Sequence, residues 1–384
     1  MHHTDRLTRV AAIKHALEGV FVVERYEFNE FDAVRLQGAW RIPPDEALPS
    51  LITRFAALNS TPVLHNDAHG VDLFIVPGVT PNPALAPAHE SRETHEPPQA
   101  HTAREVRVDP RLNIVLFLAT VASVVLTGGL ESDGMEGVRL NLPNGLMFAG
   151  SLLSILVAHE MGHYVVGRIR GLKTTWPIFI PLPFISIGGT LGAVIVQSSP
   201  FKNRRTLLEV GVAGPLAGFI VAVPLFLLGL WLTDPTPSPV PPGTTFLGDS
   251  LLTQILGLGI FGPVYSSTVE SVLVHPVAFG AWIGLLITGI NLIPAGQLDG
   301  GHIAYALFGR NARFVSWASI GAMILLSFVS EAWVIWAVML FFFGRRHPPV
   351  IDESSPLTAA HFLLALAGIL VLILTFVPTP IFRV

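Results

Sequence analysis

Leu152-Leu153-Ser154-Ile155-Leu156-Val157-Ala158-His159-Glu160-Met161-Gly162-His163 is an apolar run that ends in three ionisable side chains within five residues. With its flanks it gives an apolar stretch over 146–169, long enough for the roughly 20 residues that cross a bilayer core. An ionisable group at the centre of a span costs about 3 kcal/mol, so three together need a shared reason. The pattern His-Glu-x-x-His supplies one. Histidines four apart on a helix point within about 40° of each other, one turn along. Both imidazoles can then hold one zinc, with Glu160 beside them to take a proton from a water. The plainer reading is two helix-end histidines with a snorkelling glutamate. Against it, a chain with 14 histidines gives such a motif by chance on the order of 0.02 times.

Working outward, the chain of 384 residues is half hydrophobic and only 13% charged, whereas a soluble domain carries about 25% charge. Mean hydropathy is +0.59. Apolar stretches at 112–129, 146–169, 207–232, 274–293, 314–329, 332–344 and 358–378 are expected spans, with the sixth short enough to pair with the fifth as a hairpin. Residues 251–262 are apolar but too short to cross, and are expected to lie in the interface or re-enter.

Lys and Arg set the orientation. Arg104, Arg107 and Arg111 precede the first span, and Arg168, Arg170 and Lys173 end the second. Lys202, Arg204 and Arg205 precede the third, Arg310 and Arg313 the fifth, and Arg345 and Arg346 follow the sixth. All fall on one side if the N-terminus is cytoplasmic, which predicts a multi-pass protein of a bacterial plasma membrane in contact with the lipid bilayer. The net charge of −4 forms no basic stripe, so no nucleic-acid partner is expected. With no cysteine, any metal must be held by His, Asp or Glu. The start MHHTDRLTRV lacks the apolar region of a signal peptide, and the first span is expected to direct its own insertion.

Residues 1–78 read as a small cytoplasmic α+β domain. Val20–Val23 and Val34–Ile42 are strand candidates, the second with Val34, Leu36, Trp40 and Ile42 on one face. Glu46–Leu58 fits a helix, and Pro62–His65 and Val71–Val76 a closing hairpin. Residues 79–108, rich in Pro and His, read as a flexible linker in which His89, His95 and His101 are solvated. Residues 109–384 form the membrane-embedded domain with about six or seven spans. The expected fold class is a multi-span α-helical membrane protein with a small N-terminal α+β soluble domain.

A catalytic zinc takes three protein ligands and leaves one position open, so two histidines are not enough. The other strong cluster is Asn291-Leu292-Ile293-Pro294-Ala295-Gly296-Gln297-Leu298-Asp299-Gly300-Gly301-His302. Its proline and glycines break a helix, and broken backbone at membrane depth survives only where protein or a water-filled cavity satisfies it. Asp299 has no partner nearby in sequence, and a zinc on His159 and His163 would supply one. The competing reading is an ordinary loop after the fourth span.

Together these two motifs resemble the site-2 proteases, whose signature pairs H-E-x-x-H on one span with N-x-x-P-x-x-x-L-D-G on a later one. Asn291, Pro294, Leu298, Asp299 and Gly300 fill its fixed positions. Gly188–Ala193 resembles the loop that family places near its site, and Val212–Gly218 its small-residue third span. Ile293–Gly301 resembles the EGY-like branch of plants and bacteria in particular. The resemblance covers about 105–384.

It implies an intramembrane zinc metalloprotease acting on a membrane-protein substrate segment. One Zn2+ per chain would be held by His159, His163 and Asp299, with Glu160 as the catalytic base. Asn291 would hydrogen-bond the substrate or the oxyanion, or else only cap the broken helix. His302 is expected beside the site or at the lipid interface, and His275 at the interface. Residues 177–198 read as a re-entrant, strand-like loop that presents an edge to an extended substrate, or as a structural plug. Two other classes stay open: a silent zinc-binding membrane scaffold, and a metal-ion transporter. The first has no need of Glu160, and the second would show inverted repeats, which the sequence does not.

Overall fold

The structure is a computed structural model that describes residues 3–28, 33–67, 70–77, 109–132, 138–197, 200–234, 238–239, 245–266, 270–271, 274–343, 347, 350–353 and 355–383. The linker expected at 79–108 and the tip of the first hairpin lie outside these residues. The chain forms two compact units. The first comprises Met1–Val106, Gln197–Thr206 and Pro348–Pro356; the second comprises Arg107–Val196, Leu207–His347 and Leu357–Val384.

In the first unit the order is α1 (His3–Ala16), β1 (Phe21–Phe28), β2 (Val34–Trp40), α2 (Pro44–Ala56), β3 (Ser60–Asp67) and β4 (Gly70–Pro77). The strands pair antiparallel in the order β1-β2-β4-β3. Period-two apolar residues on β2 and β4 turn one sheet face inward. Val34, Leu36, Leu73 and Ile75 are fully buried there, against Leu17 from just past α1 and Phe55 of α2. The expected strands and α2 are present within a few residues, except that the first strand runs on to Phe28. Helix α1 was not expected.

The second unit is helical. Its elements are α3 (Pro110–Gly129), β5 (Leu130–Ser132), β6 (Val138–Leu140), α4 (Leu142–Ile169), β7 (Ile178–Pro181), β8 (Thr190–Val194), α5 (Arg204–Trp231), α6 (Leu251–Phe261), α7 (Pro276–Asn291), α8 (Asp299–Phe308), α9 (Ala312–Leu326), α10 (Ala332–Phe343) and α11 (Ala359–Thr375). The first three residues of α5 precede the unit boundary. Among the described residues, α3, α4 and α5 are long and apolar enough to cross a membrane. The other expected spans appear as the shorter helices α7, α9, α10 and α11. Helix α7 has 16 residues, about 24 Å, because the chain breaks after Asn291.

Two features position the site. The antiparallel hairpin β7–β8 lies along α3, where Ser123 Oγ donates to Gly189 O. Ser123 is about 20 Å from the start of α3, so the hairpin reaches well along that helix. Its turn exposes Phe184 and Ile185. The second feature is the break at 292–298, two of whose polar backbone groups meet side chains of α9. Ser316 Oγ accepts from Gly296 N–H at 3.3 Å, and Ser319 Oγ donates to Pro294 O at 3.3 Å. These contacts satisfy groups that a hydrocarbon surrounding could not.

Candidate metal centre

Helix α4 carries His159, Glu160 and His163, and the break after α7 turns the chain so that α8 opens on Asp299. The turn is tight, since a Cβ on Gly300 would lie 1.9 Å from Leu292 O. Asp299 thus arrives under the two imidazoles. His159 Nε2 is 3.1 Å from Asp299 Oδ2, and His163 Nε2 is 3.3 Å from Asp299 Oδ1. One ligand atom from each of the three lies within 4.8 Å of the others, and no other such group of His, Asp or Glu occurs among the described residues.

The donor set fits a small divalent metal. Ligand atoms about 2.0–2.2 Å from a tetrahedral centre stand about 3.3–3.5 Å apart, a separation that small side-chain adjustments reach from a group already within 4.8 Å. Two nitrogens and one carboxylate leave a fourth position open, as catalytic zinc requires. Such a set also suits other first-row metals. Hydrogen bonding fixes His163 for the task. Its Nδ1–H donates to Val210 O of α5 at 2.8 Å, which leaves the Nε2 lone pair facing Asp299 and holds the ring in place.

Close helix packing makes this arrangement possible. A Cβ on Gly162 would fall 2.5 Å from Ala213 O, and one on Gly214 only 2.0 Å from His163 Nε2. Small residues at this crossing let α4 and α5 touch backbone to backbone. The sequence showed the small-residue stretch 212–218 without showing that Gly214 makes room for a ligand ring. It gave no signal for the Val210 carbonyl, because a backbone group leaves no trace in residue type.

Of the expected site residues, His159, His163, Asp299 and Asn291 come together. Asn291 Nδ2 stands 3.4 Å from His159 Nε2. Glu160 follows His159 on α4 and is 8% exposed, and His159 is 3% exposed. His302 pairs with a second imidazole: its Nδ1 is 2.6 Å from Nε2 of His347, which stacks on Tyr305. His347 follows Arg345 and Arg346 and had drawn no attention in sequence. His275 caps α7, its Nδ1 accepting from Val277 N–H.

Residues 147–330 match the profile of Peptidase family M50. A relative named "Probable zinc metalloprotease EGY2, chloroplastic" from Arabidopsis thaliana is 34% identical over 261 residues, which are 68% of this chain and 45% of the relative. The Oryza sativa subsp. indica protein of the same name is 32% identical over 246 residues, covering 64% and 44%. "Probable zinc metalloprotease EGY1, chloroplastic" from Arabidopsis thaliana is 26% identical over 300 residues, covering 69% and 52%. The chain therefore spans about half the length of the curated relatives it matches. The candidate metal motifs at 159–163 and 299 both fall inside the matched segment, so residues 147–330 form a domain of peptidase family M50, the site-2 proteases, with EGY-type proteins among the relatives of the chain.

Proposed function

We propose that this chain is an intramembrane zinc metalloprotease that hydrolyses peptide bonds of membrane-spanning or membrane-associated substrates. The observation that carries the reading is the convergence of His159, His163 and Asp299 from separate helices, with the buried Glu160 on the same turn of α4. The relatives named zinc metalloproteases favour zinc over other metals that suit this donor set. When bound there, zinc supplies a Lewis acid that polarises the scissile carbonyl and lowers the pKa of water.

The chain's own groups do the rest. A Glu160 carboxylate oxygen takes a proton from the attacking water as its oxygen bonds to the carbonyl carbon. The same carboxyl returns that proton to the leaving nitrogen as the C–N bond breaks. We assign Asn291, whose Nδ2 stands 3.4 Å from His159 Nε2, the role of donating to the oxyanion. The hairpin β7–β8 offers a strand edge that can hold substrate extended. The substrate must be unwound here, because a helical carbonyl is already hydrogen-bonded.

The protein is read as multi-pass, with residues 109–384 as the protease domain of about six or seven spans and residues 1–78 as a cytoplasmic domain joined by 79–108. The one-sided Lys and Arg distribution supports this orientation. So does the make-up of the first unit, in which residues preceding α5 and α11 pack with the N-terminal sheet and so share its side of the membrane. We assign it to a bacterial plasma membrane; the named relatives are chloroplastic proteins. The orientation argument is the same for either membrane.

Two tests follow. Zinc measured by mass spectrometry on purified protein is expected to fall far below one per chain in both His159→Ala and Asp299→Ala, since each removes one of three ligands. Full occupancy in both variants would rule out this site. The chain has no cysteine, so single cysteines report topology without interference. Glu18→Cys and Arg310→Cys should react with an impermeant thiol reagent only after permeabilisation, and Glu331→Cys from outside. The opposite pattern would invert the protein.

A further inference from the structure

The β3 edge does not end the sheet of the first unit. Residues 350–353 run parallel to it, with Leu64 opposite Asp352, and residues 201–203 run parallel to those, with Asp352 opposite Asn203. The pairing is made by main-chain bonds. Leu64 N–H donates to Ile351 O at 2.9 Å, and Glu353 N–H to Leu64 O at 3.2 Å. On the other side Ile351 N–H donates to Phe201 O at 3.0 Å, and Asp352 N–H to Lys202 O at 2.8 Å. Leu64, Val350 and Ile351 are buried, so the segment is packed as well as paired. Arg205 Nε adds a bond to Pro356 O at 2.6 Å.

An open sheet edge carries unpaired N–H and C=O groups and captures extended chain in this way. Here the captured chain comes from elsewhere in the same protein. Residues 201–203 join β8 to α5, and residues 350–353 join α10 to α11. Asn203 then begins α5, its Oδ1 accepting from Thr206 N–H at 2.9 Å. Val210 and Gly214, which fix and accommodate His163, follow within the next ten or so residues of that helix.

We propose that residues 1–77 are mounted on these two loops by strand addition, independently of the 79–108 connection. The N-terminal domain is then a fixture that holds the two loop segments, 201–203 and 350–353, in one sheet. This does not rest on the protease reading. The contacts are backbone bonds and buried aliphatic groups, so the mount is insensitive to salt.

The test uses the full chain with one recognition site for a specific protease inserted at position 90. After purification in detergent and nicking, the N-terminal fragment is expected to stay in the membrane-protein peak on size exclusion, in high salt as well. In Ile351→Pro/Glu353→Pro, which removes a donor on each side of the segment, the nicked fragment is expected to shift to its own later elution volume. Circular dichroism before nicking checks that this variant keeps its helices. A second reading needs no proline. Asn203→Cys/Asp352→Cys places two thiols on neighbouring strands about 4.8 Å apart, within disulfide range, and is expected to oxidise readily in the intact chain. Release of the unmutated fragment on nicking would overturn the mount. So would retention of the fragment in the double-proline variant, or failure of the cysteine pair to bridge.

Discussion

Peptide cleavage is expected to fall by about 10²–10⁴ in Glu160→Gln, the range a positioned general base contributes, while zinc content stays at one per chain. Glutamine is nearly isosteric with glutamate, so the packing of α4 changes little around a side chain that is already buried. Its amide cannot accept a proton at neutral pH, and the attacking water loses its base. The carboxylate is not needed as a ligand, because the group His159, His163 and Asp299 offers three on its own. The measurement is paired: zinc by mass spectrometry, and cleavage of a membrane-spanning peptide in detergent or liposomes. Loss of zinc together with cleavage would make Glu160 a ligand or a structural group. Near-normal cleavage would remove it from the chemistry.

Gly214→Ala is expected to weaken zinc binding by on the order of 100-fold or more, although residue 214 touches no metal. Disturbing a group that merely supports a ligand typically costs about 10–100-fold. Here a methyl group would stand 2.0 Å from His163 Nε2 and within 2.5 Å of its neighbouring ring carbons. Helix α5 cannot relieve the clash without tearing the contact in which Gly162 meets Ala213. The ring must instead swing out, losing both its bond to Val210 O and its place beside Asp299. Gly150→Ala is the control, since a Cβ there meets nothing within 4 Å and an exposed helical alanine is favourable by about 1 kcal/mol. Competition against a chelating dye gives both affinities. Equal affinity in the two variants would show that the crossing has slack which the structure does not indicate.

The cluster of His159, His163 and Asp299 was legible because it combines a helical spacing, an apolar setting and a helix-breaking run that ends in an acid. Each is a local pattern, and Asp299 could be paired with His159 and His163 because membrane depth leaves few reasons for an isolated carboxylate. The strands β2, β3 and β4 were legible for a similar reason, their apolar alternation being strong over several residues. Helix α1 was missed because HTDRLTRVAAIKHA has few apolar residues and no sharp apolar stripe. The pairing of Leu64 with Asp352 was invisible. It joins segments almost three hundred residues apart in sequence, and a stretch as short as 350–353 has no period to read. The His302–His347 contact escaped for the same reason of distance. The stretch 274–293 reads as one apolar span, and α7 occupies Pro276–Asn291 of it, ending where the turn toward Asp299 begins.

Ser316 and Ser319 bear on how such a protein can change over evolutionary time. They hold the broken segment open from α9, a helix that supplies no metal ligand, so the shape of the site and the chemistry performed in it are maintained by different residues. A lineage that lost Glu160, or a histidine, would keep the same fold around a polar recess. That recess could be recruited to bind a membrane segment without cutting it. The reverse route is harder: without the two hydroxyls, Gly296 N–H and Pro294 O of the turn toward Asp299 lose these partners, and no substitution among the metal-facing side chains supplies new ones.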